Sequence, residues 1–98
     1  MAGRARVTYE ISHDAARQRY SLTIDGVEAY LTYERPKPKH RHITHTIVPD
    51  VLGGRGLGKR LVARAMEDII AGGETVSASC WFAKALIEKT PEWAALEA

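Results

Sequence analysis

Cysteine is nearly absent. The single thiol, Cys80, cannot form an internal disulfide, and no Cys/His set has zinc spacing, which suits a reducing compartment. Excess charge of one sign is missing as well, because 14 Lys+Arg stand against 12 Asp+Glu for a formal net charge of +2. Domains that hold nucleic acid concentrate far more basic residues on one face, so such a partner is not expected. Long apolar runs are also lacking. The chain opens Met1-Ala2-Gly3-Arg4-Ala5-Arg6 and then alternates polar with apolar residues, without the continuous stretch of a signal peptide or membrane span. The expected address is cytoplasmic, with no membrane partner. At 98 residues there is no room for a second core or a deep enclosed cavity, so one domain over 1–98 with a site near its surface is expected.

What is present is a clear change of period. The first half alternates with period two, the pattern of half-buried strands. Val7, Tyr9 and Ile11 share a face in a strand expected over Arg6–Ser12, and Tyr20, Leu22 and Ile24 share one over Arg17–Ile24. Asp25-Gly26 is a strong two-residue hairpin signal. Val27, Ala29, Leu31 and Tyr33 then face one way, with Glu28, Tyr30, Thr32 and Glu34 opposite. Pro36 and Pro38 interrupt a stretch, Arg35–Arg41, that carries four Arg/Lys and no acid, and it is expected to be a solvated loop. Alternation resumes in His42–Val48, where Ile43, His45 and Ile47 are expected to share a face.

After Pro49 the period becomes 3.6. Leu57, Leu61, Val62, Ala65, Met66, Ile69 and Ile70 form one apolar stripe, Arg64 and Asp68 can pair across one turn, and Gly72-Gly73 supplies a stop. Glu74–Ser79 reads as a fifth strand, Trp81–Lys89 as a short second helix ended by Thr90-Pro91, and Trp93–Leu96 as a turn packed back on the body.

Between the fourth strand and the first helix lies Val48-Pro49-Asp50-Val51-Leu52-Gly53-Gly54-Arg55-Gly56-Leu57-Gly58-Lys59. Glycines there let backbone N–H groups approach a ligand, and the helix N-terminus favours an anion, phosphate or pyrophosphate being the natural guest. Two phosphate motifs fail. Gly53-x-x-x-x-Gly58-Lys59 is followed by Arg60 where a P-loop needs the Ser/Thr that binds magnesium. Gly54-x-Gly56 is followed by Lys59, and Gly56-x-Gly58 by Leu61, where a dinucleotide fold needs glycine or alanine.

A third pattern holds. Val48-x-x-x-Leu52 and Gly56-x-Gly58 opening a helix resemble the pyrophosphate loop of the GNAT superfamily of acetyl-CoA-dependent N-acetyltransferases. Tyr30-Leu31-x-Tyr33, His45-Thr46-x-Val48-Pro49, Gly54-Arg55-Gly56-Leu57-Gly58, and Cys80 followed by a helix ending near Pro91-Glu92 are similar to its small single-domain members, over about Val27 to Leu96. The resemblance implies a minimal α+β GNAT-like fold: a mostly antiparallel five-stranded sheet with strands 4 and 5 splayed apart, and two main helices. It implies acetyl-CoA or coenzyme A along the backbone after Ile47 and Val48 and over the loop Gly53 to Lys59, with pyrophosphate on the amides of Gly54, Arg55, Gly56, Leu57 and Gly58, and Arg55 or Lys59 near the phosphates. Two departures stand out: Gly53 replaces the Gln or Arg of many GNAT loops, and Ile87 stands where a tyrosine proton donor is usual.

The resemblance also names the chemistry. An amine attacks the thioester, a backbone N–H near Ile47 holds the oxyanion, and a base takes a proton, a role for which histidine is suited. His45 is the first candidate, ahead of His42 and His40. Cys80, at the junction of the fifth strand and second helix where a helix N-terminus favours thiolate, is the second. Transfer then proceeds by direct attack of the amine or through acetylated Cys80. Glu28, Tyr30 and Glu34 are candidates to line an amine site. The alternative function is a non-catalytic acyl-CoA-binding or regulatory module, which the missing tyrosine allows. Exposed sheet edges leave room for a homodimer.

Overall fold

The computed structural model describes residues 9–98. Its sheet has five strands in sequential order: β1 (Ser12–Asp14), β2 (Arg19–Ile24), β3 (Val27–Lys37), β4 (His40–Ile47) and β5 (Thr75–Ala78). The first four pair antiparallel, and β5 pairs parallel to β4. The parallel step needs a crossover, supplied by α1 (Leu57–Ala71). Two further helices follow, α2 (Trp81–Glu88) and the single turn α3 (Pro91–Ala94).

The hairpin between β2 and β3 forms as its sequence dictates. Asp25 and Gly26 have φ of 51° and 79°, the paired positive values of a tight primed turn. Tyr20, Leu22, Ala29, Leu31, Tyr33 and Ile43 present one buried face, onto which α1 lays Leu57, Leu61, Val62, Ala65, Met66 and Ile69. Ala83, Leu86 and Ile87 of α2 complete the core on the same side. Ile70, placed in the stripe by its spacing, is 51% exposed, because it falls on the rim as α1 runs past the sheet. Among the described residues, no helix covers the other face.

Three expectations are corrected. Of the strand expected over Arg6–Ser12, residues 6–8 lie outside the described residues; among the described ones, 9–11 are not in a strand and pairing begins at Ser12 opposite Ser21. Tyr9 and Ile11 still pack against the core. The basic stretch is exposed over residues 35–39, as expected, but it is not one loop, because β3 continues to Lys37 and the chain turns at Pro38-Lys39, with Lys39 at φ 62°. His40 and Arg41 are therefore in β4 and buried, at 4% and 5% exposure. The third correction concerns facing. Ile43 pairs with Tyr33 but His45 with Thr32, so Thr44 is an extra residue in β4 and the alternation reverses there. Ile43 enters the core while His45 turns to the uncovered face.

Burial of Arg41 requires partners. Its Nε donates to Glu74 Oε1 at 2.9 Å and a terminal nitrogen donates to the Tyr20 hydroxyl at 2.6 Å, which donates in turn to Asp68 Oδ2 at 2.7 Å. Arg35 reaches the second Glu74 oxygen at 3.3 Å, and Arg64 pairs with Asp68 at 3.6 Å. His13 stacks on Tyr20, with ring centroids 4.1 Å apart, and shares a hydrogen bond of 2.7 Å with the Tyr33 hydroxyl. Burial and the Asp68 hydrogen bond hold the Tyr20 phenol far above its usual pKa. The network ties the C-terminal end of α1 to β2, β3 and β4. No helix of the described residues is long and apolar enough to cross a membrane.

Glu74→Ala strands a buried guanidinium, and is expected to cost about 3–5 kcal/mol in urea unfolding; a loss under about 1 kcal/mol would show that the pair contributes little. A second expectation concerns acid. Burial, chiefly, lowers the pKa of His13 and of His40, with Arg41 adding to the first and Lys37 to the second. Unfolded imidazoles take up protons near 6.5 while these two take them up only at lower pH, so the unfolded state binds more protons and stability falls as pH drops below that value. The urea midpoint should decline from about pH 7.5 to about pH 5, and less steeply in the double variant His13→Asn/His40→Asn. Equal slopes in the two proteins would exclude these histidines as the cause.

Candidate active site

β4 and β5 stay together only as far as the pair Ile43 and Ala78, with the Ser79 and Cys80 amides closing on the Ile43 carbonyl at 3.0 and 3.5 Å. Beyond that rung β4 runs on to Ile47 while the chain after β5 turns into α2. The divergence opens a groove of about 640 Å³ on the helix side of the sheet, floored by Thr46 and Val48 and walled by the glycine loop and the first turns of α1 and α2. That volume lies within the range of small-molecule sites.

The loop reaches the groove through a short 3₁₀ turn, Asp50–Leu52. Gly54 and Gly56 follow with φ of 80° and 71°, backbone that side chains resist. Gly56 is the N-cap of α1, and the first helical hydrogen bond runs from the Arg60 amide to the Gly56 carbonyl at 3.1 Å. The N–H groups of Leu57, Gly58 and Lys59 precede that bond, and no side chain caps them. A Cβ built on Gly54 or Gly56 meets nothing within 4 Å, so it is the left-handed backbone and not crowding that calls for glycine at these two positions. Gly58 differs. A Cβ there would lie 3.0 and 3.1 Å from Phe82 ring carbons and 3.6 Å from the Thr46 methyl, so its bareness lets α1 and α2 close together behind the groove. Lys59 and Lys89 line the groove against one acid, Asp50, which with the helix terminus favours an anion.

Cys80 is the N-cap of α2 and half-buried, and its thiol donates to Thr46 Oγ1 at 3.5 Å across the groove. Trp81 beside it is 80% exposed at the mouth. Of the residues singled out in the sequence, Val48, Gly53, Gly54, Gly56, Leu57, Gly58, Lys59 and Cys80 line this groove. Arg55 is exposed on the loop, and Ile47, 40% exposed, faces the other way; neither lines it. His45 does not meet Cys80 there. The bulge at Thr44 carries it to the uncovered face, where its Nδ1 lies 3.4 Å from Thr32 Oγ1. Glu28, Tyr30 and Glu34 are on that face too, with Glu28 paired to Arg19 and the Arg19 guanidinium 4.0 Å above the Tyr30 ring. Thr46, Trp81, Phe82 and Leu86 were missed as groove residues. Thr46 was hidden by the bulge, whereas the aromatic pair directly after the lone cysteine was a readable signal.

Comparison with known proteins gives a consistent set of likenesses. The family model described as GCN5-related N-acetyl-transferase matches residues 19–96. The chain is 30% identical over 83 residues to Protein NATD1 of Xenopus tropicalis, covering 83% of this chain and 76% of that one. The Homo sapiens protein of the same name is 26% identical over 83 residues, covering 83% and 74%. Among solved structures, the solution NMR structure of a GCN5-like protein from Staphylococcus aureus superposes with a TM-score of 0.74 at 30% identity, covering 91% of this chain and 87% of that one.

The two glycines of the helix start make opposite demands, which a double-variant experiment separates. Gly→Ala inside a helix ordinarily adds up to about 1 kcal/mol of stability, but Gly58→Ala should destabilise, by pushing on Phe82. Phe82→Ala should remove that penalty. Gly56→Ala should cost about 1–2 kcal/mol from its left-handed backbone, with or without Phe82. If Phe82→Ala relieved both variants equally, the contact assigned to Gly58 would be wrong.

Proposed function

Because the chain belongs to the GCN5-related N-acetyltransferase family, we propose that it binds acetyl-CoA in the groove between the glycine loop and α2 and transfers the acetyl group to an amine. One observation carries the reading: a groove made by the parting of two parallel strands runs from a half-buried thiol to an uncapped helix N-terminus flanked by lysine. The amides of Leu57, Gly58 and Lys59, with the charge of Lys59 and of Arg55 on the loop, would hold the pyrophosphate. The β4 edge from Thr44 to Ile47 has no strand partner on the β5 side, and its free backbone groups would pair with the amides of the pantetheine arm. Thr46 and Cys80 then stand beside the thioester.

Two routes fit these positions. In the direct route the amine comes from the uncovered face, with His45 as base, and its nitrogen displaces the coenzyme A sulfur from the carbonyl carbon. A backbone N–H near Ile47 would hold the oxyanion. In the second, the Cys80 sulfur displaces coenzyme A, which leaves as the thiol, and the amine then takes the acetyl group from Cys80 and restores its S–H. The resemblance places a tyrosine proton donor at the position of Ile87, which is fully buried here and has no proton to give. That residue favours a second reading, an acyl-CoA-binding module without turnover. The lone thiol fits a cytoplasmic setting for either.

Thermal unfolding with acetyl-CoA, coenzyme A and 3′-dephospho-coenzyme A is the first test. At about a hundredfold excess over Kd the first two should add about 2.7 kcal/mol of stability, and no shift with any of the three would remove the acyl-CoA reading. Intact mass after incubation with acetyl-CoA separates the routes: an acetyl adduct lost in Cys80→Ala supports the Cys80 route, and full turnover by Cys80→Ala without any adduct supports direct attack. Tight binding with no acetylation of a panel of primary amines would favour the non-catalytic module.

A further inference from the structure

The uncovered face of the sheet holds a cluster that the groove does not use. His40 Nδ1 lies 2.6 Å from Thr75 Oγ1 and His40 Nε2 lies 2.8 Å from Ser77 Oγ, which is 2.7 Å from His42 Nδ1. Four side chains of β4 and β5 thus form one continuous hydrogen-bonded row beneath the point where the strands part. His42 is opposite Ser77, one rung before the last pair, Ile43 with Ala78, so its backbone position is about 3.3 Å along the strand from the opening.

The row can run in two senses, set by where the Thr75 hydroxyl points. In the sense that ends on the Lys39 carbonyl, which lies 3.4 Å from Thr75 Oγ1 and also accepts from the Thr75 amide at 2.9 Å, the hydroxyl donates there and receives His40 Nδ1–H. His40 is 4% exposed and kept neutral by burial and by Lys37, so it carries one ring proton and its Nε2 accepts from Ser77. The Ser77 oxygen then receives Nδ1–H of His42. What remains is the Nε2 lone pair of His42, which has no hydrogen-bond partner among the described residues and belongs to a half-exposed ring. The tautomer of a histidine is set by the bond its other nitrogen makes.

An acetyl acceptor needs such a nitrogen. An alkylamine has a pKa of about 10.4 and arrives as ammonium. On becoming an amide it sheds two protons; one ends on the coenzyme A sulfur and the other must reach solvent. We propose that His42 is the base that takes this second proton, on the uncovered face, with Ser77, His40 and Thr75 as positioning residues that hold its Nε2 free. The role rests on the acetyl-transfer reading and complements His45, which lies further along the same strand with one long contact to Thr32. The charged and titratable groups facing His42 are Glu34 opposite it on β3, Lys37 opposite His40, and His40 and His45 on β4; β5 presents Thr75 and Ser77 there, which carry no charge.

Two measurements on the full chain test this. Long-range proton–nitrogen NMR should show neutral His42 as the Nδ1–H form in the wild type, with a shift toward Nε2–H in Ser77→Ala; an Nε2–H wild type overturns the proposal. Transfer from acetyl-CoA to spermidine and to a blocked lysine amide is then followed against pH. His42→Gln should lower kcat/KM by about 10²-fold at neutral pH, and the deficit should shrink at alkaline pH as the amine loses its own proton. Ser77→Ala should lower kcat about fivefold, the scale of one hydrogen bond, with KM for acetyl-CoA unchanged. Wild-type transfer that His42→Gln leaves intact, or reduces equally at every pH, overturns the role of His42. An Nδ1–H His42 in a protein that acetylates neither amine overturns the transfer reading instead, and the proton role with it.

Discussion

One extra residue in β4 decides what each side of this molecule can do. Thr44 has no partner of its own on β3, since Tyr33 faces Ile43 and Thr32 faces His45. A regular strand would put Ile43, His45 and Ile47 on one face. With the bulge, Ile43 packs under α1, Thr46 reaches the groove beside Cys80, and His45 and Ile47 turn outward. Bulges bend the strand that carries them and increase its twist. Here the bulge falls one residue past the last rung between β4 and β5, so the reversal of faces coincides with the opening of the groove. Thr44 secures the extra residue with its hydroxyl, 2.6 Å from Thr32 Oγ1 and 3.1 Å from the Thr32 carbonyl.

The two ends of α1 are built for different tasks. At the C-terminal end the last carbonyls carry partial negative charge, and cations collect there: Lys39 donates to the Gly72 carbonyl at 2.9 Å, and Arg41 and Arg35 meet Glu74 just beyond. Every buried polar side-chain atom among the described residues finds a partner. A satisfied network of this kind rigidifies its surroundings and specifies a single arrangement. At the N-terminal end no side chain caps the helix and the backbone is held in left-handed turns by glycine.

Much of the frame was legible. The Asp25-Gly26 turn, the stripe of α1, the strand-loop-helix glycine stretch and the placement of Cys80 at a strand-helix junction all follow from local chemistry that neighbouring residues settle among themselves. The first strand was not legible, because Ser12-His13-Asp14 has no strand-like composition; it pairs with β2 while His13 stacks on Tyr20, 7 positions downstream. The basic stretch misled for the same reason. Arg41 reads as a solvated charge until Tyr20 and Glu74, distant in sequence, arrive to satisfy it.

The change of period at Pro49 and the ordered glycines were enough by themselves to determine strands followed by helices around a glycine-rich helix start, because each is a local property of the chain; the near-absence of cysteine and the balanced charge only bounded the class. Which residues meet was decided only by tertiary structure. The register shift at Thr44 sends His45 away from Cys80, and the parallel pairing of β4 with β5 draws His40, His42, Thr75 and Ser77 into one row. Side-chain facing has a period of two, so a single inserted residue inverts it. No count along the chain shows where that insertion falls until the neighbouring strand is in place.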